Sequence, residues 1–167
     1  MITGIGGCSN SGKSALANEL RKHFGYDKSV VLCQDDFVKY SGELPKIDGH
    51  TDWEQPSSIK IDEFINAVKE NSSVFEYVFV EGLFAFWFDR LNALYDKKLF
   101  LELDKATFIK RKKNDYRWGK EPDWYIEHIW NSYLKYGRPP EDMTGVFKMT
   151  ATLPVDIQTI TKHIKSR

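Results

Sequence analysis

Short apolar runs and helically spaced apolar positions alternate along the chain. Ile2-Thr3-Gly4-Ile5-Gly6 is β-branched and closed by glycine, as a short strand is, while Leu16, Ala17, Leu20 and Phe24 fall on one face of a helix over 14–24. Val30-Val31-Leu32-Cys33 has the length and composition of a buried strand, and Ile61, Phe64, Ile65 and Val68 mark an amphipathic helix over 59–68. The polar stretch 36–58 between them has no period and predicts a long loop. Residues 74–80 predict a third strand, 86–95 an aromatic-rich helix and 98–103 a fourth strand. Asp104 is placed to cap a basic helix over 106–116, Pro122 opens a helix to about Tyr136, 146–149 reads as a last strand and 154–164 as a closing helix. Strands that alternate with helices predict an α/β fold: a five-stranded parallel sheet covered on both faces, in three α/β/α layers.

Composition narrows the class without changing the fold. With 167 residues, 41% of them hydrophobic, the chain can bury roughly 70% of the surface its unfolded form exposes, so 1–167 is expected to be one domain that needs no disulfide or structural metal. Lys plus Arg number 24 and Asp plus Glu 24. That balance argues against nucleic acid as a partner, because such proteins draw their non-specific affinity from a basic excess. No apolar stretch approaches the roughly 20 residues that span a bilayer, and the first residues lack the pattern of a signal peptide. A cytoplasmic protein without a membrane partner, a monomer or weak homodimer, is expected. Cys8 and Cys33 make no CxxC pair or metal spacing and read as reduced thiols. His50, His128 and His163 share no ligand spacing and read as structural or surface residues, with His128 the one to watch.

Chemistry enters with Gly7-Cys8-Ser9-Asn10-Ser11-Gly12-Lys13-Ser14, which fits G-x-x-x-x-G-K-[ST] at every fixed position and lies between a predicted strand and a predicted helix. This is the pattern of a P-loop. Its glycines let backbone approach phosphate, its N–H groups and the helix N-terminus donate to phosphate oxygens, Lys13 brings charge to the β/γ-phosphates and Ser14 can ligate Mg²⁺. ATP and Mg²⁺ are therefore the expected cofactors. Cys8 occupies a variable loop position, as a small filler. No Asn-Lys-x-Asp guanine motif occurs, and motor or transport ATPases need more chain, which leaves a small-molecule kinase. Such an enzyme needs a carboxylate by the acceptor hydroxyl, a second acid for Mg²⁺ and a basic lid. Asp35 and Asp36 directly follow the second strand, Glu81 follows the third as a Walker-B-type acid, and Lys110-Arg111-Lys112-Lys113 with Arg117 suits a short helical lid over about 111–124.

These residues carry a family likeness. The sequence resembles the nicotinamide riboside kinases, within the uridine kinase-like branch of P-loop nucleoside kinases, from Ile5 to about Tyr136. The likeness rests on the loop Gly7 to Ser14, on Gln34-Asp35-Asp36-Phe37, on Val80-Glu81-Gly82-Leu83 and on the run His128 to Tyr136. It implies that Asp35 is the base or orienter for a ribose 5′-hydroxyl and lies near Mg²⁺ with Ser14 and Glu81. It implies that Trp53 stacks on the nucleoside while Glu54 grips its ribose, with Asp36 and Glu81 on the acceptor side. Glu54 stands where the family has Asp, and Asp52 is its rival for that contact. Arg111 and Arg117 match basic lid positions that contact phosphate, in a segment shorter than the family's. Trp118, Trp124 and Tyr125 join Trp53 around the cleft. The implied reaction is ATP-dependent 5′-phosphorylation of a riboside, most of all nicotinamide riboside on a route to NAD; the alternatives are a uridine/cytidine or other small-metabolite kinase and, outside the class, a non-catalytic nucleotide-binding regulatory module.

Overall fold

The computed structural model describes residues 1–117, 119–152 and 154–166. Strand β1 (Ile2–Gly7) leads through the glycine loop into helix α1 (Lys13–Phe24) and strand β2 (Ser29–Cys33). A single 3₁₀ turn, Gln34–Phe37, follows β2 directly. The long polar segment beyond it is not wholly irregular: β3 (Lys46–Ile47) and β4 (His50–Thr51) pair antiparallel across Asp48-Gly49. Both turn residues have positive φ, 46° and 82°, as a tight Asp-Gly hairpin turn requires. The base of this excursion is closed where Lys39 N donates to Ser58 O at 2.8 Å and Lys60 N to Phe37 O at 2.8 Å, so the loop returns to where it left the sheet.

Helix α2 (Ile61–Val74), strand β5 (Tyr77–Glu81), the single turn α3 (Asp89–Asn92) and strand β6 (Lys97–Glu102) come next. Helices α4 (Lys105–Lys113) and α5 (Asp123–Ser132), a π-helical turn over Tyr133–Gly137, strand β7 (Val146–Thr150) and helix α6 (Ile157–Lys165) complete the fold. Asp104 caps α4 by accepting from Thr107 N, as its position predicted. Asp156 does the same for α6, which starts three residues later than its proline suggested.

The sheet order is β2-β5-β1-β6-β7, all parallel. Its residues alternate between two cores although both faces are covered. Ile5, Phe79, Leu99 and Leu101 pack with Leu16, Leu20 and Ile164 of α1 and α6. Val78, Val80 and Phe100 pack with Phe64, Val68, Phe108, Ile126 and Ile129 of α2, α4 and α5. The three layers and five parallel strands are as the apolar pattern predicts.

Three expectations are corrected. The aromatic helix over 86–95 is only α3, because its rings are used differently: a Cβ on Gly4 would lie 2.6 Å from the Tyr95 ring, and one on Gly6 2.6 Å from the Phe86 ring. The rings lie directly on the bare backbone of β1, and Tyr95 Oη donates to Ala85 O, so the segment wraps β1 rather than coiling. The basic helix stops at Lys113, whereas α5 continues through the π-helical turn to Gly137, so the helix expected to about Tyr136 is present. The segment 111–124, expected to be a short helical lid, is helical only at its ends: residues 114–117 and 119–122 connect α4 to α5 with a turn and an isolated bridge, Arg117 to Gly119. Glycine and proline in this short connector oppose helix continuation. No helix among the described residues is long and apolar enough to cross a membrane.

Candidate active site

The order of the strands turns around β1, and the chemistry collects at the carboxyl ends of the strands there, where open α/β sheets form clefts. The loop leaving β1 folds back tightly: Ser11 N donates to Cys8 O at 3.2 Å, Asn10 has φ 59° and Leu16 N closes on Gly12 O at 2.9 Å. A Cβ on Gly7 would sit 2.8 Å from Leu101 O of β6, so the neighbouring strand demands glycine. Lys13 Nζ donates to Cys8 O of the same loop at 3.0 Å. Ser9 Oγ donates to Asn10 Oδ1, and the buried Ser11 Oγ has no partner among the described residues. Cys8 is fully buried, and loss of hydration pushes its thiol up to about 11.

Sheet register brings in the acids. Glu81 ends β5 opposite Ile5 of β1 and Cys33 of β2, is 2% exposed, and accepts from Ser14 Oγ at 2.7 Å. Asp35 stands in the 3₁₀ turn beyond β2, which Gln34 fastens to the next strand end by accepting from Phe84 N at 2.9 Å. Loss of hydration around the Asp35 carboxyl raises its pKa, Lys13 opposes the rise, Glu81 and Asp36 add to it and Arg117 opposes it. The Cys33 thiol is pushed far up by burial and by the charges of Glu81 and Asp35. Asp36 itself is exposed beside Asp35.

A hydroxyl and two carboxylates are hard oxygen donors that suit Mg²⁺. Among the described residues, no group of three His, Cys, Asp or Glu side chains could hold a metal alone. That suits a cation brought in with phosphate, because Mg²⁺ keeps several waters and takes only one or two carboxylates. Ser14, Glu81 and Asp35 fit it.

The phosphate side is an open cavity of about 710 Å³ between the start of α1 and the end of α4, lined by Lys13, Ser14, Thr107, Lys110, Arg111 and Arg117 among others. Arg111 faces it as a strut: its guanidinium donates to Asn10 O at 3.0 Å and to Ala151 O at 2.9 Å. Arg117 is held by Asp115, from Nε at 2.8 Å and Nη2 at 2.6 Å, while Asp115 also accepts from Asn10 Nδ2 at 2.9 Å. This pairing holds Asp115 well below the usual carboxylate range and raises Arg117, which also feels Asp35. The connector is thus latched to the glycine loop by an acid that the charge pattern, dominated by its lysines and arginines, did not single out.

On the acceptor side, Trp53 is 37% exposed and Glu54 partly buried. Burial pushes the Glu54 carboxyl up to about 7; the buried Lys112 opposes this, while Asp35, Asp52 and Glu121 reinforce it. Asp52 and Glu54 differ in their partners. Asp52 is committed to the loop, accepting from Glu54 N at 3.1 Å and meeting His128 Nε2 at 2.8 Å, whereas no described residue hydrogen-bonds the Glu54 carboxylate. Trp124 packs edge-on against His50 and Tyr125, 5.1 and 5.4 Å between centroids, so it braces the β3–β4 hairpin. Trp118 lies outside the described residues. Glu54 feels the charge of Asp35, and Asp35 in turn feels that of Lys13. Sequence reasoning did not single out Asp115, and it named Lys112 only within the basic run, Tyr125 only as an aromatic near the cleft and Ser132 only within the run His128 to Tyr136, without the distant groups each of them meets.

No protein-family model matches the chain. It is similar to nicotinamide riboside kinase 1 of Homo sapiens, 25% identical over 160 residues that cover 86% of this chain and 79% of the relative. It is similar to the nicotinamide riboside kinase of Schizosaccharomyces pombe, 24% identical over 180 residues, 80% of this chain and 77% of the relative. The uridine kinase of Chlamydia pneumoniae is 27% identical over 165 residues, 83% of this chain and 73% of the relative. Among solved structures, a putative fructose transport system kinase from Silicibacter superposes with a TM-score of 0.65 at 16% identity over 89% of each chain. Deoxyadenosine kinase from M. mycoides with bound dATP gives 0.58 at 17% identity over 99% of this chain and 100% of the other. The fold is that of the P-loop kinases.

Proposed function

We propose that this P-loop kinase transfers the γ-phosphoryl group of ATP to the 5′-hydroxyl of a riboside, with nicotinamide riboside as the leading acceptor. The observation that carries the reading is the Ser14–Glu81 contact at 2.7 Å beside Asp35, at the mouth of a complete phosphate loop. A bond forms between the ribose O5′ and Pγ, the bridging bond from Pγ to ADP breaks, and the hydroxyl proton passes to Asp35 and then to solvent. A riboside hydroxyl is a weak nucleophile, and this transfer depends chiefly on alignment and charge stabilisation. Asp35, with its pKa raised, is suited to accept a proton late, as the new bond forms. Lys13, released from Cys8 O, and Arg117, exchanged from Asp115, supply positive charge where the phosphoryl oxygens would lie. Ser14, Glu81 and Asp35 would hold Mg²⁺, which when bound neutralises charge on the β- and γ-phosphates.

Acceptor choice follows from charge. Burial chiefly lifts the phenol of Tyr125, and the charges of Glu54, Asp52 and Glu121 add to the rise, so acidic groups gather around Tyr125 beside Trp53. An exposed indole face in an acidic field favours a cationic base. Turnover of a panel of ribosides tests the reading: nicotinamide riboside should exceed its neutral dihydro form, uridine and cytidine in kcat/KM. A preference for uridine or cytidine would move the assignment to the pyrimidine nucleosides, and no turnover of any riboside would end it. Asp35→Asn should lower kcat at least about 100-fold, with a much smaller change in the KM for ATP.

A further inference from the structure

Three side chains of α5 stand three and four residues apart, on one face of the helix, and reach Thr51, Asp52 and Glu54 of the loop proposed to receive the acceptor. Tyr125 Oη donates to Thr51 O at 3.2 Å, His128 Nε2 meets Asp52 Oδ1 at 2.8 Å, and Ser132 Oγ donates to Glu54 O. Ser58 Oγ adds a bond to Trp53 O at 3.0 Å. The loop backbone is therefore fixed by side chains, while the Trp53 ring and the Glu54 carboxylate are left to face a ligand.

Within this ladder His128 is distinctive, because its partner is itself the organiser of the turn. Asp52 Oδ1 accepts from Glu54 N at 3.1 Å and Oδ2 from Gln55 Nε2 at 3.3 Å. A carboxylate has no proton to give, so the imidazole donates through Nε2–H. The Tyr125 ring lies 5.7 Å from the imidazole and limits its rotation. The same helix carries Trp130, 5.2 Å from Phe108 of α4, and α4 supplies Lys112 opposite Glu54. One helix thus sets both the loop that carries the acceptor acid and the element that carries its countercharge.

We propose that His128 is a positioning residue for the acceptor: through Asp52 it holds the Trp53-Glu54 turn in its binding geometry without touching the reacting atoms. This rests on the reading that Trp53 and Glu54 receive the acceptor, and the test separates the two. With the full chain, His128→Ala should raise the riboside KM roughly tenfold, the effect of losing a hydrogen bond to a charged partner, with kcat and the KM for ATP changed less than about threefold. His128→Gln, whose amide nitrogen reaches the place of Nε2, should restore most of the riboside KM, and His128→Asn, which is shorter, should not. Asp52→Ala should match His128→Ala, and the double variant should be no worse than either single one, as for two residues acting through one contact.

An unchanged riboside KM in His128→Ala, equal rises in both KM values, or additive losses in the double variant would overturn the proposal while leaving the kinase reading standing. If the alanine variants do not fold, the contrast between His128→Gln and His128→Asn decides alone. Absence of riboside turnover by the unaltered protein would remove the functional reading and this inference together.

Discussion

Glu54 shows how one carboxyl can report on both stability and acceptor binding. Its pKa is about 7 in the folded chain against an ordinary 4.5, chiefly through burial. Below about pH 4.5 the group is protonated folded or unfolded and affects neither. As pH rises to 7 the unfolded chain ionises first, so stability falls across that window and stays lower above it. Glu54→Gln should therefore be more stable than the unaltered protein at pH 8, by about 1–3 kcal/mol, with the difference vanishing near pH 4.5 in urea titrations. Affinity for a cationic riboside should move the other way, its KM falling as pH rises through 7 and the carboxylate forms. At this scale, Gly7 to Ser14, Asp35 and Glu81 were legible because each follows a strand in a recognisable order. The partners of Asp52 and Glu54 were not, because Asp52 meets His128 across 76 residues and Ser132 meets Glu54 across 78, and no local pattern encodes such a meeting.

Among elements, the strands and the helices with continuous apolar stripes were readable, and the failures share a cause. Phe84, Phe86 and Tyr95 are rich enough in apolar surface to suggest a helix, yet Gly4 and Gly6 open a flat strip of β1 on which Phe86 and Tyr95 lie, and tertiary packing outweighs the local pattern. Gly6→Ala should cost about 1–3 kcal/mol in urea unfolding, because its Cβ would meet the fully packed Phe86 ring at 2.6 Å. Phe86→Leu in that background should recover part of the loss, whereas two independent sites would add. The β3–β4 hairpin was signalled by Asp48-Gly49, but strands of two residues are too short for alternation to declare them.

For the whole molecule, the hydrophobic pattern predicted five parallel strands and three layers but not their lateral order. Insertion of β5 between β2 and β1 is decided by crossovers, which leave no mark on any one strand, and it is this insertion that sets Glu81 against Ser14. The net charge of zero is now seen as separate fields, with Lys13, Arg111 and Arg117 lining the cavity beside the glycine loop and Asp52 and Glu121 close to Glu54. Since Lys13 Nζ donates only to Cys8 O among the described residues, Lys13→Met should leave the stability of the ligand-free chain within about 0.5 kcal/mol. The gain of about 2.7 kcal/mol expected from Mg·ATP at a hundredfold its Kd should be lost in this variant, as thermal shifts would register.

The two cysteines have a consequence for durability. One thiol lies inside the glycine loop and the other against the acids at the strand ends, positions where an oxidised sulfur would obstruct phosphate or Mg²⁺. With a pKa of about 11, only roughly one Cys8 in ten thousand is a thiolate at pH 7, and Cys33 is held even more firmly as the thiol. Peroxides and electrophiles attack thiolates, so the sulfurs at the heart of the site are chemically quiet. The proposed phosphoryl transfer is thereby shielded from oxidation of either thiol.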